Sequence, residues 1–566
     1  MTQTKPVGGL EGEYEHYEAI VVGCGPGGAA AAARLAAHDI ETLVLERGTE
    51  AGSKNVSGGL IYAEESAPYT IEDLFPNFRA AAAERPVTDY QIHNIAGNKV
   101  KTVDLTDLHE HDTEWCDAVL RRHMDSWLES RVHELTSETG GGVLTDVRVN
   151  GLLRENGQIV GVTCDELDPI TADFIVAADG VNSELARDAG LMDWAAPEEW
   201  FQGVKAVVEM DPQEINDRFG LEPDEGIAHL FSGDLFEDVR GGGFLYTNED
   251  TLSIGTVFHL DSLVAEQAEP HELLDALLTH PLMSQWIGDD YHELEYGAKL
   301  VPDSKKVAHR EPYRDRLVLV GDAGGQMQAQ GPIIKGMNHA VTAGALAADA
   351  YMLTRGNADP EAPGRRYTTM LEQSGTMAKL RPRRYELTSP VGEHGLVTRV
   401  TEGVLDSPVG SLAIGNPLAK RLLPKAYNSP FLVGMLPDTQ TGYTTLPAII
   451  AEQHGRTVHW ENEVEPPSLE ERIGDLTYNT DVGNPHIRVL DNSEAASGAA
   501  VYACPVSAED FGGGCYRSET VTTNGSEETL VSLDTQPCVE CGTCAIVADT
   551  EWEHPRGGKG VEFRQG

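Results

Sequence analysis

Residues 18–48 set a short apolar run (EAIVV), a long small-residue run (PGGAAAAARLAAH) and a second apolar run (ETLVLERG) in series. This pattern predicts strand, glycine turn, helix and strand, the opening unit of an α/β fold. Residues 118–137 place apolar positions at helical spacing and predict an amphipathic helix. DFIVAADG (173–180) and RLVLVGDAGG (316–325) each predict a buried strand running into a turn. From about 201 to 300 the pattern changes to alternating strands: FQGVKAVVEM, GIAHLFSG, GGGFLYT and TLSIGTVFHL. The last two flank Asn248-Glu249-Asp250 and read as a hairpin. A helix follows from about Gly336 to Tyr351, and no internal repeat is visible.

The expected layout is a polar extension (1–17), a dinucleotide-binding domain in two pieces (18–200 and 301–395) and an antiparallel-sheet domain inserted at 201–300. A connecting segment (396–474) and a closing domain (475–566) complete it. At 566 residues with 40% hydrophobic content, the chain is long enough for two to four folded domains. Its net charge of −49 comes from 91 acidic against 42 basic residues, spread along the whole length. Such self-repulsion opposes compaction in dilute buffer. In roughly molar salt the Debye length falls to about 3 Å, so adaptation to a salty cytoplasm is preferred over an acidic docking patch. No broad basic footprint suits a nucleic acid. No apolar run is long enough to span a membrane, and the N-terminus lacks the apolar core of a signal peptide.

Gly23-Cys24-Gly25-Pro26-Gly27-Gly28 matches the dinucleotide fingerprint. The first glycine (Gly23) makes the tight turn, the second (Gly25) admits the pyrophosphate and the third (Gly28) lets helix pack on strand. Glu46, eighteen residues on, stands where a carboxylate accepts ribose hydroxyls. Val176–Ser183, with Asp179 and Gly180, and Val320–Gly324, with Gly321 and Asp322, resemble the two remote FAD motifs of p-hydroxybenzoate-hydroxylase-like flavoproteins. In that family the second aspartate, here Asp322, holds the ribityl chain. Arg121 matches a further FAD-contacting position. The resemblance also implies that the helix starting after Lys335-Gly336-Met337 points at the flavin's pyrimidine edge, where its dipole favours negative charge.

Gly52-Ser53-Lys54-Asn55-Val56-Ser57-Gly58-Gly59, GGGFLYTNED and GDAGG…KGMNHA together resemble the FixC branch of electron-transfer flavoprotein:quinone oxidoreductases over roughly 18–350. This implies FAD contacts from Arg47, Lys54 and Asn55 as well. The implied fold is a Rossmann-like FAD domain, α/β and α+β, with the inserted sheet serving quinone or substrate.

Of eight cysteines, Cys24, Cys116 and Cys164 are scattered and five crowd the end. Cys538-x₂-Cys541-x₂-Cys544 with a remote Cys504-Pro505 follows the grammar of bacterial ferredoxins and implies one [4Fe–4S] cluster. Four thiolates also suit zinc, the rival. Cys515 is left over and reads as a free thiol. Cys541–Cys544 and Glu551-Trp552-Glu553-His554-Pro555-Arg556-Gly557-Gly558 resemble the FixX ferredoxin-like protein, fused here to the flavoprotein. The acidic, glycine-rich insert at 508–529 departs from it.

Two places lack acid: Lys379–Arg384, and Leu418–Ala451 with Lys420, Arg421, Lys425 and many apolar residues. The second suits a shallow lipid contact or a domain interface equally well. The family's quinone enzymes are monotopic, which implies a peripheral seat on the cytoplasmic face of the cell membrane. No nucleophile, triad or metal-hydrolase motif appears, so no catalytic side chain is assigned and the cofactors carry the chemistry. The expected function is an electron relay from a soluble, two-subunit electron-transfer flavoprotein through cluster and FAD to a quinone. The alternatives are a geranylgeranyl (prenyl-lipid) reductase of the same flavoprotein fold and an electron-storage or scaffold subunit.

The charge makes one prediction at once. Thermal stability should rise strongly between low and molar KCl, read as the shift of the unfolding midpoint. A flat response would mean that the acid serves a local purpose.

Overall fold

A computed structural model of the chain describes residues 14–64, 67–104, 115–193, 196–236, 238–288, 290–303, 311–330, 333–375, 453–457, 464–507, 514–523 and 526–566. The strand Glu15–Val22 leads, and its last four residues, Ala19 to Val22, are buried. It pairs in parallel with Thr42–Leu45 on one side and Ile170–Ala177 on the other. The sheet runs Tyr313–Arg314, Leu317–Leu319, Ile170–Ala177, Glu15–Val22, Thr42–Leu45, Gly142–Leu144, with the hairpin Val149–Glu155/Gln158–Cys164 attached. Parallel neighbours need long crossovers, and the first is the predicted alanine-rich helix, Pro26–Ala36.

Small side chains decide how closely these elements approach. Gly23 sits at φ +91°, and a Cβ on Gly28 would lie 1.9 Å from its carbonyl oxygen. The turn therefore closes only with glycine at both positions. The helix Met337–Thr354 crosses Pro26–Ala36 so tightly that a Cβ on Gly344 would stand 2.1 Å from the Gly27 carbonyl oxygen.

The second sheet is ordered His292–Pro302, Trp200–Glu209, Thr251–His259, Gly241–Thr247, Ile227–Gly233, Asp89–Ala96, Lys99–Asp104, Gln453–Thr457. The predicted hairpin is present, with Thr247 opposite Leu252. Two features differ from the expected sheet at 201–300. Strands from 89–104 and 453–457 join it, and Ile227–Gly233 pairs with Asp89–Ala96 in parallel. Asp89–Ala96 mixes polar residues into the alternation because part of it meets polar neighbours: buried His93 shares a 2.8 Å hydrogen bond with His229.

Residues 464–566 are built from small paired strands, among them Thr477–Asn479 with Gly560–Glu562 and Ile487–Val489 with Thr550–Trp552. Their apolar side chains share one core with the second sheet. The Tyr296 hydroxyl donates to the Pro505 carbonyl at 2.8 Å, and Arg472 pairs with Glu293 at 2.9 Å. The basic segment 379–384 and the basic-apolar stretch 418–451 lie outside the described residues. Among the described residues no helix is long and apolar enough to cross a membrane.

Gly344→Val should force the two small-residue helices apart and destabilise the FAD-binding half by about 1–3 kcal/mol, as overpacking does. Denaturant titration of the variant is the measurement, and an unchanged midpoint would refute the crossing.

Candidate functional site

The parallel strands end together at one cavity of about 350 Å³, lined by Val22, Leu45, Ala178 and Val320 from four of them. Ligands of open α/β sheets bind at this carboxyl edge. Of the residues singled out in the sequence, Gly23, Gly25, Glu46, Arg47, Lys54, Asn55, Arg121, Asp179, Gly180, Gly321, Asp322, Gly336 and Met337 all line it. Two do not. Gly28 packs beneath the turn, and the Lys335 ammonium is held by Glu64 at 2.8 Å over the Tyr62 ring.

Several of these side chains also brace the wall. Glu46 accepts from the backbone N–H of Cys24 at 2.9 Å and of Gly48 at 2.7 Å, so it holds the glycine turn while facing the cavity. Arg121 reaches over Gly25 and is fixed by Asp125 at 3.0 Å, while Asn55 donates to the same carboxylate at 3.3 Å. Asp179 accepts from the Ser183 hydroxyl at 2.6 Å and the Leu185 N–H at 3.3 Å, and burial pushes its carboxyl up to about 6. Burial also raises Asp322, against the pull of Arg121 and Lys299. The Lys54 ammonium donates to the Lys559 and Val561 carbonyls at 2.7 Å each and so clasps the end of the chain.

The wall contains residues that the sequence patterns did not single out: Arg148, Asn182, Lys299 and His554. Asn182 follows the Asp179-Gly180 turn, and His554 lies in the quoted Trp552–Gly558 run. Nothing in the alternation of strand His292–Pro302 marks Lys299. Two buried polar atoms of this wall, Asn182 Oδ1 and His554 Nδ1, have no hydrogen-bond partner among the described residues. A glycine turn, a helix N-terminus at Gly336, several cations and unmatched polar atoms suit a large, anionic, hydrogen-bonding dinucleotide. The opposite side is apolar, with Leu60, Ile92, Phe201, Phe231, Phe244 and Tyr246. Phe244 and Tyr246 stack there, 4.9 Å apart.

Cys504, Cys538, Cys541 and Cys544 are all buried in the closing module. Cys515 is buried with them and hydrogen-bonds both Cys504 and Cys538. The left-over cysteine is thus a free thiol that lies close to two of the four spaced cysteines. The hydrogen bond from Cys515 lowers the Cys538 thiol, with burial opposing and His486 assisting. A tetrahedral zinc needs its sulfurs about 3.8 Å apart, from a Zn–S bond of about 2.3 Å. Among the described residues the group with ligand atoms within 4.8 Å of one another is Glu269, His271 and Glu272, and no three cysteines share it.

The cysteine loop and the cavity share a wall. Asn182 donates to the Cys541 carbonyl at 3.1 Å, and Arg47 pairs with Glu540 at 2.7 Å. Burial pushes the Glu540 carboxyl up, but Arg47, Lys54, His486 and Lys299 outweigh it and hold the group below its ordinary value.

This fold and cavity define an FAD-binding oxidoreductase. The family profile for an FAD binding domain matches residues 16–362. The chain is 34% identical over 369 residues to the probable electron transfer flavoprotein-quinone oxidoreductase YdiS of Escherichia coli (strain K12), covering 64% of this chain and 83% of that protein. It is 36% identical over 338 residues to Protein FixC of the same strain, covering 59% and 76%. The chain belongs to this FixC and electron transfer flavoprotein-quinone oxidoreductase family. A geranylgeranyl bacteriochlorophyll reductase-like protein from Thermoplasma acidophilum superposes with a TM-score of 0.51 at 20% identity, over 65% of this chain and 85% of that one, and shares the fold.

Glu540→Gln should leave Arg47 as a buried charge without its counter-ion. Removing one partner of such a pair costs about 3 kcal/mol or more. The expected outcome is faster proteolysis of the closing module and easier release of FAD, both absent in an Arg47→Met/Glu540→Met double variant if charge is the cause.

Proposed function

We propose that the protein accepts electrons from a soluble electron-transfer flavoprotein and passes them through a [4Fe–4S] cluster and FAD to a quinone. The observation that carries this reading is the shared wall: Asn182 and Arg47 line the FAD cavity and also hold the loop that presents Cys541. Two redox groups seated there would be separated by a few side chains. Cys504, Cys538, Cys541 and Cys544 are the proposed ligands, and the fused end acts as a FixX-like ferredoxin module. Cys515 is the thiol that hydrogen-bonds two of them.

FAD supplies the two-electron to one-electron exchange when bound. The chain's own residues position it and set its surroundings. Gly23, Gly25 and Arg121 would hold the pyrophosphate, Asp322 the ribityl chain, and the Gly336–Met337 helix start the flavin end. The aromatic side of the cavity, with Phe231, Phe244 and Tyr246, suits the flat ring of a quinone. Its tail would run toward lipid, which makes the protein a peripheral one on the cytoplasmic face. The name of the relative YdiS of E. coli supports both the flavoprotein donor and the quinone acceptor.

Purified full-length protein should reduce a quinone when given reduced electron-transfer flavoprotein. Reduced samples should show one low-temperature paramagnetic iron–sulfur signal. Cys541→Ser should abolish or badly damage that signal and the reaction with it, while FAD stays bound. Stoichiometric zinc without iron, or an intact reaction in the variant, would sink the relay.

A further inference from the structure

We propose that Lys299 is the positive charge that stabilises the reduced flavin in this cavity. The inference rests on FAD occupying the cavity and needs neither the cluster nor the quinone.

Five long cationic side chains line the cavity, and four are already engaged. Arg47 is paired with Glu540 at 2.7 Å, and Arg148 with Glu184 at 2.9 Å. Arg121 is fixed by Asp125, and Lys54 spends its ammonium on two backbone carbonyls. Lys299 differs. Its one hydrogen bond is a long 3.4 Å donation to the Lys54 carbonyl. It makes no ion pair within 4.0 Å among the described residues. Its ammonium therefore has no contact ion pair: burial and Arg47 push it down to about 8, and Glu540 supports its charge at longer range.

Its position follows from the second sheet rather than from the glycine turn. Lys299 lies on strand His292–Pro302 opposite Gly203. The next residues, Leu300 and Val301, belong to the same lining, and Val301 packs beside the Phe201 and Ile334 of the apolar side. The lysine thus stands where that side meets the wall carrying Glu540 and Cys541, whose charges it feels along with those of Arg47 and Arg121. The pyrophosphate would be held elsewhere, by the turn at Gly23–Gly28 and by Arg121, whose guanidinium lies over Gly25.

The chemistry needs such a charge. Two electrons and one proton taken up by oxidised flavin leave a monoanion, FADH⁻, in place of a neutral ring. A fixed cation in a water-poor wall lowers the free energy of that anion without reorganising when the electrons arrive. The effect is on the flavin's midpoint potential, and it should be the same whichever reductant supplies the electrons.

The test uses the full-length, FAD-loaded protein and variants Lys299→Gln, Lys299→Met and Lys299→Arg, titrated at an electrode while the flavin absorbance is followed. Neutral variants should lower the two-electron potential enough to change the reduced-to-oxidised ratio at fixed potential about tenfold, roughly 30 mV. Lys299→Arg should restore most of it, which a purely structural lysine would have no reason to do. FAD affinity, measured by fluorescence on the same samples, should change little. An unchanged potential in both neutral variants overturns the proposal. Lost FAD affinity at unchanged potential overturns it too, and assigns the charge to the pyrophosphate.

Discussion

Arg47 and Glu540 meet 2.7 Å apart, the arginine at the end of the second strand of the FAD domain and the glutamate in the cysteine loop. Nearly five hundred residues separate them in sequence. Glu540 is almost wholly buried and stands at φ +56°, a conformation that its second bond, from the Val561 N–H, helps to hold. A charge sealed from water persists only where it is paired and hydrogen-bonded. The pair therefore dictates where the closing module sits, and with it the position of Cys541 relative to the cavity. Lys54 and Asn182 reinforce the same seam from the FAD side through backbone carbonyls of the module.

The charge of the chain and the charge of its site have opposite signs. A protein carrying −49 repels an anionic dinucleotide at long range. The cavity sets Arg47, Lys54, Arg121, Arg148 and Lys299 in its wall beside Glu46, Asp179 and Asp322, so cations are concentrated where a chain-wide excess of acid would otherwise face the ligand. Salt that screens the outer acid acts within about a Debye length of the surface, whereas the buried cations are little affected. Binding of the cofactor and tolerance of salt are thus handled by different residues and do not compete.

The cavity also has two faces of unlike character. The parallel sheet contributes glycine turns and polar groups, which suit the phosphate and ribityl parts of FAD. The second sheet contributes aromatic rings and Lys299. The cysteine loop borders this cavity on the side of Asn182 and Arg47.

What the sequence determined by itself was whatever depends on local chain chemistry. Gly23, Gly25 and Gly28 can be read because a tight turn and a close helix leave no room for a Cβ. The hairpin around Asn248–Asp250 can be read from alternation, and Cys538, Cys541 and Cys544 from their spacing. The tertiary structure alone decided the rest. Strand Asp89–Ala96 joins the second sheet in parallel, through partners more than a hundred residues away that no local window contains. Cys515 lies near Cys504 because its N–H bonds the Val506 carbonyl and the Tyr516 N–H bonds the Ser507 hydroxyl, pairings that spacing does not reveal. Lys335, a plausible flavin neighbour in sequence, is drawn off by Glu64, while Lys299 of the second sheet lines the cavity. A lysine's role is set by which counter-charge reaches it first, and that is a property of three-dimensional packing.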